Sequence, residues 1–180
     1  MIHSEAVTKR GAPRRIHPRV GGVLVGLALI ALASGAAAET IIGRVVGVTD
    51  GDTITVLVDG RARVVRLLGI DAPERRQAYG ERAKQFTATL AFGKTVRVQL
   101  RERDRYERLL AEVFLPDGRS LNQELVRAGY AWWFRRYSRD PILARLESEA
   151  RDARRGLWAG RQPVPPWDFR RHPSGIPTGS

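Results

Sequence analysis

The sequence predicts an α+β fold in which a small five-stranded β-barrel carries three helices. Five short runs rich in β-branched residues are separated by turn signals, and three longer stretches space their apolar residues as helices do. A chain of 180 residues fits one domain of this kind. Hydrophobic residues make up 43% of the sequence, which is enough to form its core.

The strand predictions rest on alternation between apolar and polar residues. In the second strand Ile54 and Val56 share one face, and the Asp59-Gly60 dipeptide that follows is a strong signal for a tight hairpin. Gly69 ends the third strand and indicates a bulge or a sharp bend. The predicted strands span residues 41–49, 53–58, 62–68, 95–101 and 109–115.

Helical spacing and end signals predict the three helices. The first two span residues 79–92 and 121–128, and each stops before a glycine. The third is the best marked, because Asp140 suits the N-cap and Pro141 the first helical position. Its end is expected at Gly156.

The two ends of the chain differ from its body. A basic stretch, an apolar run and a small-residue box ending at Ala38 are typical of a secretory signal peptide over residues 1–38. The prediction is therefore a secreted or periplasmic protein without stable membrane association. The alternative is an uncleaved N-terminal membrane anchor.

Beyond the domain predicted at 39–158, the Pro/Gly-rich residues 159–180 are expected to be loose, although Trp167 and Phe169 could dock.

Composition narrows the possible chemistry. The chain has 31 Lys and Arg against 19 Asp and Glu, which predicts a polyanionic partner, either nucleic acid or an anionic membrane surface. A barrel of the oligonucleotide-binding (OB) type would suit that charge. There is no cysteine, and His3, His17 and His172 all lie outside the predicted domain. This excludes thiolate sites, Ser-His-Asp hydrolysis and histidine-ligated zinc.

The remaining chemistry must come from carboxylates and arginines, and these cluster at the predicted strand ends. Paired carboxylates provide oxygen ligands for a hard cation such as Ca²⁺, and arginines bind phosphate through a planar, charged fork. Each motif alone could be an ordinary turn, a helix start or a solvated loop. Strict alternation also places Arg66 and Asp71 on opposite faces unless Gly69 bends the strand. The clustered residues are Asp50, Asp52, Arg66, Asp71, Glu74, Arg105 and Arg108.

Five segments of the chain form a pattern in their order and spacing: VTDGDT at 48–53, RLLGIDAPE at 66–74, YG at 79–80, DRYER at 104–108 and LNQELVRAG at 121–129. Together they resemble the staphylococcal nuclease (thermonuclease) family. The resemblance covers about residues 41–158 and implies an OB-type barrel with three helices. It also implies Ca²⁺-dependent hydrolysis of DNA and RNA that leaves 3′-phosphate ends.

The resemblance also implies roles for individual residues. Asp52 and Asp71 resemble the metal-binding carboxylates, and Ala72 stands where the family lends a backbone carbonyl. Glu74 resembles the general base, and Asp50 an acid that supports the metal ligands. Arg66 and Arg108 resemble the phosphate-binding arginines, while Tyr106 and Tyr137, with Arg105 nearby, resemble the residues that line the nucleotide pocket.

One departure from the family pattern affects the expected rate or substrate preference. Glu107 stands where the family often has glycine, so it loses backbone freedom and adds negative charge near the phosphate. Arg105 next to it could offset that charge.

Two other function classes remain open at the level of sequence. One is a binding module that holds single-stranded nucleic acid by charge and by stacking on Trp132, Trp133 and Tyr137 without cutting it, although the two tryptophans fit the core at least as well. The other is a basic envelope or membrane-surface protein, which leaves the acidic residues unexplained. A pure nucleic-acid binder has no use for three acids facing a polyanion, which favours an enzyme. The protein is expected to be a monomer.

Overall fold

A computed structural model describes residues 39–172 of the chain. The predicted signal peptide lies outside these residues. The barrel strands are β1 (Thr40–Val48), β2 (Thr53–Val58), β3 (Arg61–Leu67), β5 (Thr95–Arg103) and β6 (Leu109–Phe114). Two short strands, β4 (Ile70–Asp71) and β7 (Trp132–Trp133), pair with each other outside the barrel. The helices are α1 (Gly80–Ala91), α2 (Leu121–Arg127), α3 (Pro141–Asp152) and α4 (Pro166–Arg171), with a 3₁₀ turn at Gly156–Ala159.

The five longer strands form a closed barrel in the order β1, β2, β3, β6, β5, and β5 pairs back with β1. All neighbours are antiparallel except β3 and β6, which run parallel. The parallel pair is possible because α1 and β5 lie between these strands in sequence and carry the chain back. This closed mixed barrel with appended helices confirms the predicted α+β fold of OB type.

The alternating pattern places the core as expected. Ile54, Val56, Val96 and Val98 point into the barrel and are fully buried. Arg97, between the last two, faces outward and covers the ring of Phe114. Burial of each such aliphatic side chain contributes about 1.5–3 kcal/mol, so the barrel interior is a major source of the fold's stability.

The predicted N-cap of α3 is confirmed, but the helix ends earlier than predicted. Asp140 accepts a hydrogen bond from the Ile142 N–H at 2.8 Å and caps α3. The helix ends at Asp152 rather than continuing to Gly156, because Arg154 adopts a left-handed conformation with φ of 50°. Gly156 instead opens the 3₁₀ turn.

Residues 159–172 do not form the loose segment that their composition predicted. Pro166 occupies the first turn of the short helix α4, where its missing N–H costs nothing. Trp167 of this helix stacks on Phe134, with ring centroids 5.2 Å apart and planes 2° apart. It also meets Trp132 edge-on at 5.7 Å. Composition gave the wrong expectation because aromatic packing against a distant part of the chain holds this segment.

Within residues 39–172, no helix combines the length and the apolar character needed to cross a membrane.

Candidate active site

Gly69 forms a sharp bend between the end of β3 and the start of β4. Its φ of 77° lies in the left-handed region, so the chain turns sharply between Arg66 and Asp71. The Arg66 Nη2 atom reaches Asp71 Oδ1 at 2.6 Å, and its Nη1 atom forms an ion pair with Asp52. The bend therefore brings together two residues that strict alternation would have placed on opposite faces.

The two aspartates form a buried acidic floor. Their exposed fractions are 1% for Asp52 and 0% for Asp71. Asp52 Oδ2 accepts a hydrogen bond from the Ala72 N–H at 2.6 Å, and the Asp50 carboxylate accepts one from the Asp52 N–H at 3.1 Å. Asp50 thus orients the turn that carries Asp52, and these contacts fix Asp52 and Ala72 side by side.

Burial dominates the electrostatics of this floor. It raises the pKa of Asp52 well above the usual value, and the positive charge of Arg66 offsets only part of that rise. Burial also tends to lower the pKa of Arg66, but Asp52 and Asp71 outweigh it, so the pKa is raised. Arg66 therefore stays charged, and its positive charge alone does not compensate for the burial of the Asp52 carboxylate.

Glu74 is placed by a tight turn that follows β4. A Cβ atom on Gly80 would lie 2.0 Å from the Glu74 carbonyl oxygen, so only glycine permits this approach. The Glu74 N–H donates to the side chain of Gln77 at 3.1 Å. The turn is short, and it leaves the Glu74 carboxylate beside the buried aspartates with part of its surface open to solvent.

Arg108 is held by the loop between β5 and β6. Asp104 accepts hydrogen bonds from the Tyr106 and Arg108 N–H groups at 2.8 and 3.0 Å, and from Arg108 Nε at 2.7 Å. Glu107, in the same loop, has a φ of 59°, the left-handed conformation that favours glycine. Asp104 thus positions Arg108. It belongs to the matching segment at 104–108, but the sequence did not predict this role.

These elements border one open cleft of about 1230 Å³. Tyr106 and Tyr137 stand at its edge with 63% and 61% of their surfaces exposed, and the Arg105 guanidinium lies over the Tyr106 ring at 4.8 Å. Trp132 is largely buried in a small cluster with Trp158, so it serves the core more than the cleft. The cleft gathers most of the predicted site residues: Asp50, Arg66, Glu74, Arg105, Tyr106, Arg108 and Tyr137.

A family model described as staphylococcal nuclease homologue matches residues 64–160. The chain belongs to the staphylococcal nuclease family. It is 50% identical over 128 residues to an uncharacterized endonuclease of Escherichia coli O157:H7, an alignment that covers 71% of this chain and 84% of the relative. It is also 46% identical to Protein ParB of Escherichia coli, over 81% of this chain and 87% of the relative. The micrococcal nuclease of Shigella flexneri is 42% identical, over 72% and 80%.

One arginine at this site, Arg170, was not predicted from the sequence. Arg170, on α4, donates from Nη2 to Asp71 Oδ2 at 2.7 Å and from Nη1 to Glu74 Oε1 at 2.6 Å. Its Nη1 atom also lies 3.3 Å from Asp71 Oδ1. Nearly a hundred residues separate Arg170 from both acids, and the only sequence signal was its nearness to Trp167.

The donor set fits a hard cation. All its candidate ligands are oxygen atoms, from the carboxylates of Asp52 and Asp71 and the Ala72 carbonyl, and these are the ligands that Ca²⁺ takes. Within the described residues, no three Asp, Glu, His or Cys side chains are already gathered as a metal site. The Arg170 guanidinium stands between Asp71 and Glu74, which marks a position that attracts positive charge.

Proposed function

We propose that this chain is a Ca²⁺-dependent endonuclease that hydrolyses phosphodiester bonds of DNA and RNA and leaves 3′-phosphate ends. Membership of the staphylococcal nuclease family and relatives named as nucleases support the nuclease activity. The observation that carries the mechanism is the pair of buried carboxylates, bridged by Arg66, beneath a cleft bordered by Glu74 and Arg108.

We assign metal binding, activation of water and binding of phosphate to different residues according to their positions in the cleft. Bound Ca²⁺ would supply a positive charge for a phosphate oxygen and an ordered water, and Asp52, Asp71 and the Ala72 carbonyl would hold it. The Glu74 carboxylate would orient the attacking water and accept its proton. Arg66 and Arg108 would donate to the phosphate oxygens and stabilise the charge that builds up on them.

The edge of the cleft is suited to nucleotides. Tyr106 and Tyr137 offer exposed rings on which bases can stack, and stacking of this kind contributes about 1–3 kcal/mol per base without strong sequence preference. Arg105 adds positive charge beside Tyr106. This arrangement supports action on both DNA and RNA.

We further propose that the chain works as a secreted or periplasmic monomer, without stable membrane association once residues 1–38 are removed. The sequence pattern of that segment supports its export and the removal of residues 1–38.

Digestion of single-stranded DNA and of RNA by the purified protein tests the proposal. Cleavage is expected with Ca²⁺ and not with an excess of chelator, and mass spectrometry of the products should show 3′-phosphate ends. Absence of cleavage under both conditions, with binding retained, would instead support a non-catalytic OB-type module, which the exposed tyrosines also favour.

Two variants test the residue roles. Glu74→Gln is expected to lower kcat by about 10²–10⁴-fold, because it removes the base. Arg108→Ala is expected to lower kcat by about 10²–10³-fold, because it removes a donor to the charged transition state. Glu81→Gln and Arg145→Ala are matched controls, since Glu81 on α1 pairs with the exposed Arg75 and Arg145 pairs with Glu149 along α3. Wild-type rates in Glu74→Gln and Arg108→Ala would show that the assignments are wrong.

A further inference from the structure

We propose that Arg170, which pairs with both Asp71 and Glu74, competes with Ca²⁺ for the Asp71 carboxylate and so sets the Ca²⁺ concentration at which the site loads. The inference rests on the proposed Ca²⁺-dependent function. It assigns a role to the C-terminal segment, which lies beyond the stretch of the chain that the family model matches.

The segment is anchored by contacts that are independent of the acids. Trp167 lies between Phe134 and Trp132 through the ring contacts described above. On the other side, the Gln77 side chain donates to the Val164 carbonyl, which ties the segment to the turn that follows Glu74. Because α4 is held at two places, Arg170 is presented to the cleft whether or not its guanidinium is paired.

Arg170 uses the oxygen atoms that a cation would need. Asp71 Oδ1 accepts from both Arg66 and Arg170, and Asp71 Oδ2 accepts from Arg170. Glu74 Oε1 accepts from the same guanidinium. A carboxylate oxygen that accepts charged N–H donors has little capacity left for a divalent ion, and a fixed positive charge beside it repels that ion. Ca²⁺ therefore binds Asp71 at the expense of its contacts with Arg170.

The balance of charge leads to the same conclusion. Three acidic side chains, Asp52, Asp71 and Glu74, share two guanidinium groups, those of Arg66 and Arg170. Arg66 is largely buried and binds both aspartates, whereas the Arg170 side chain is nearly half exposed. Arg170 can thus leave the acids at lower cost, because its guanidinium is already partly hydrated. It is the cation that Ca²⁺ would displace.

Calorimetric measurement of the Ca²⁺ dissociation constant tests the competition directly, without reference to catalysis. If the docked form of Arg170 outnumbers the released form about tenfold, its removal strengthens apparent Ca²⁺ binding by about tenfold. We therefore expect Arg170→Ala to bind Ca²⁺ about tenfold more tightly than the wild-type protein, and Arg170→Lys to lie between them.

The neighbouring arginine provides a matched control. Arg171 pairs with Asp168 on the same helix and with no acid of the site. Arg171→Ala removes the same charge one residue away, and its Ca²⁺ affinity should stay within about twofold of wild type because the lost charge is screened by water and salt. Trp167→Ala, which removes one of the two anchors of α4 and keeps Arg170, should strengthen Ca²⁺ binding in the same direction as Arg170→Ala but by a smaller factor. Circular dichroism verifies that each variant is folded.

The outcomes separate this inference from the proposed function. Equal or weaker Ca²⁺ binding by Arg170→Ala, in a protein that still cleaves DNA with Ca²⁺, would refute the competition and leave the nuclease assignment intact. Equal strengthening by Arg170→Ala and Arg171→Ala would also refute it, because general charge would then explain both. Absence of Ca²⁺ binding in every protein would refute the competition and the Ca²⁺-dependent mechanism together.

Discussion

Replacement of Glu107 separates the effect of backbone conformation from that of charge at the candidate active site. Glu107 ends the turn between β5 and β6, and its N–H donates to the Asp104 carbonyl at 3.0 Å. A turn of this kind, closed by a left-handed residue, favours glycine at that last position. Glu107 takes the left-handed conformation with an exposed side chain. Glu107→Gln removes the negative charge alone, whereas Glu107→Gly removes the charge and also relieves the backbone. The difference between the two variants therefore isolates the effect of the backbone.

The two variants should leave stability nearly unchanged. Glycine relieves a left-handed conformation that costs about 1 kcal/mol, but its freedom in the unfolded chain costs about 0.4–1 kcal/mol. These contributions nearly cancel, so the free energy of unfolding of Glu107→Gly should lie within about 0.6 kcal/mol of wild type. Glu107→Gln keeps the backbone cost and changes only an exposed group, which predicts a change within about 0.5 kcal/mol.

The charge should affect substrate binding instead. In water, two unit charges separated by one Debye length, about 8 Å, repel each other by about 0.5 kcal/mol, which is equivalent to about a twofold change in affinity. We expect a repulsion of this order between the Glu107 carboxylate and a phosphate bound at Arg108. Both variants should therefore lower KM for single-stranded DNA about twofold at low salt, and by less at an ionic strength of about 0.15 M. We expect kcat to stay the same, because Asp104 and not Glu107 holds Arg108.

Urea unfolding and steady-state kinetics measure the two effects separately. A KM that is equal in all three proteins would refute the electrostatic reasoning. A rise in kcat confined to Glu107→Gly would show that backbone freedom in this loop, rather than charge, limits the reaction.

Two further predictions concern the framework of the site. Asn122→Ala should lower the free energy of unfolding by about 2–3 kcal/mol, because the buried amide bonds to the Val113 N–H and the Leu68 carbonyl, and its loss leaves both unpaired. Urea unfolding measures this, and a loss below about 1 kcal/mol would contradict it. Burial tends to raise the pKa of Asp104, but hydrogen bonds led by that from Arg108 outweigh it and lower the pKa. Its contribution to stability is thus present above about pH 4 and lost as the pH falls through the lowered pKa. The difference in Tm between wild type and Asp104→Asn should therefore shrink between about pH 5 and pH 2, and a constant difference would count against this account.

The barrel could be predicted because its strands follow a local rule. Alternation in β5 already separates Val96 from its exposed neighbours, and alternation in β2 places Ile54 and Val56 on the face that forms the core. Hairpin signals such as Asp59-Gly60 join strands that are adjacent in sequence. The short pair β4 and β7 was not predicted, since each strand has only two residues and carries no periodic signal. Its partners lie about sixty residues apart and meet only through tertiary packing.

The site was predictable where its residues follow a strand end or a recognised motif. Asp52, Glu74 and Arg108 belong to short ordered segments, and the folded barrel brings those segments to one cleft. Gly69 was identified as the bend on which the approach of Arg66 to Asp71 depends. Arg170 could not be predicted in this way, because its place depends on stacking of Trp167 against an aromatic residue from another part of the chain.

The position of Arg66 determines which variants report on chemistry. Arg66 pairs with two fully buried carboxylates, and removal of one partner from a buried ion pair typically costs about 3–5 kcal/mol. A cost of that size is a large part of the stability of an ordinary domain, so activity lost in an Arg66 variant measures unfolding as well as catalysis. Arg108 and Glu74 lie nearer to solvent, and their loss leaves no fully buried charge unpaired, because Asp71 keeps Arg66 in either variant. Catalytic roles at this site are therefore best read from Glu74 and Arg108, and the role of Arg66 from a double-mutant comparison with Asp52 or Asp71.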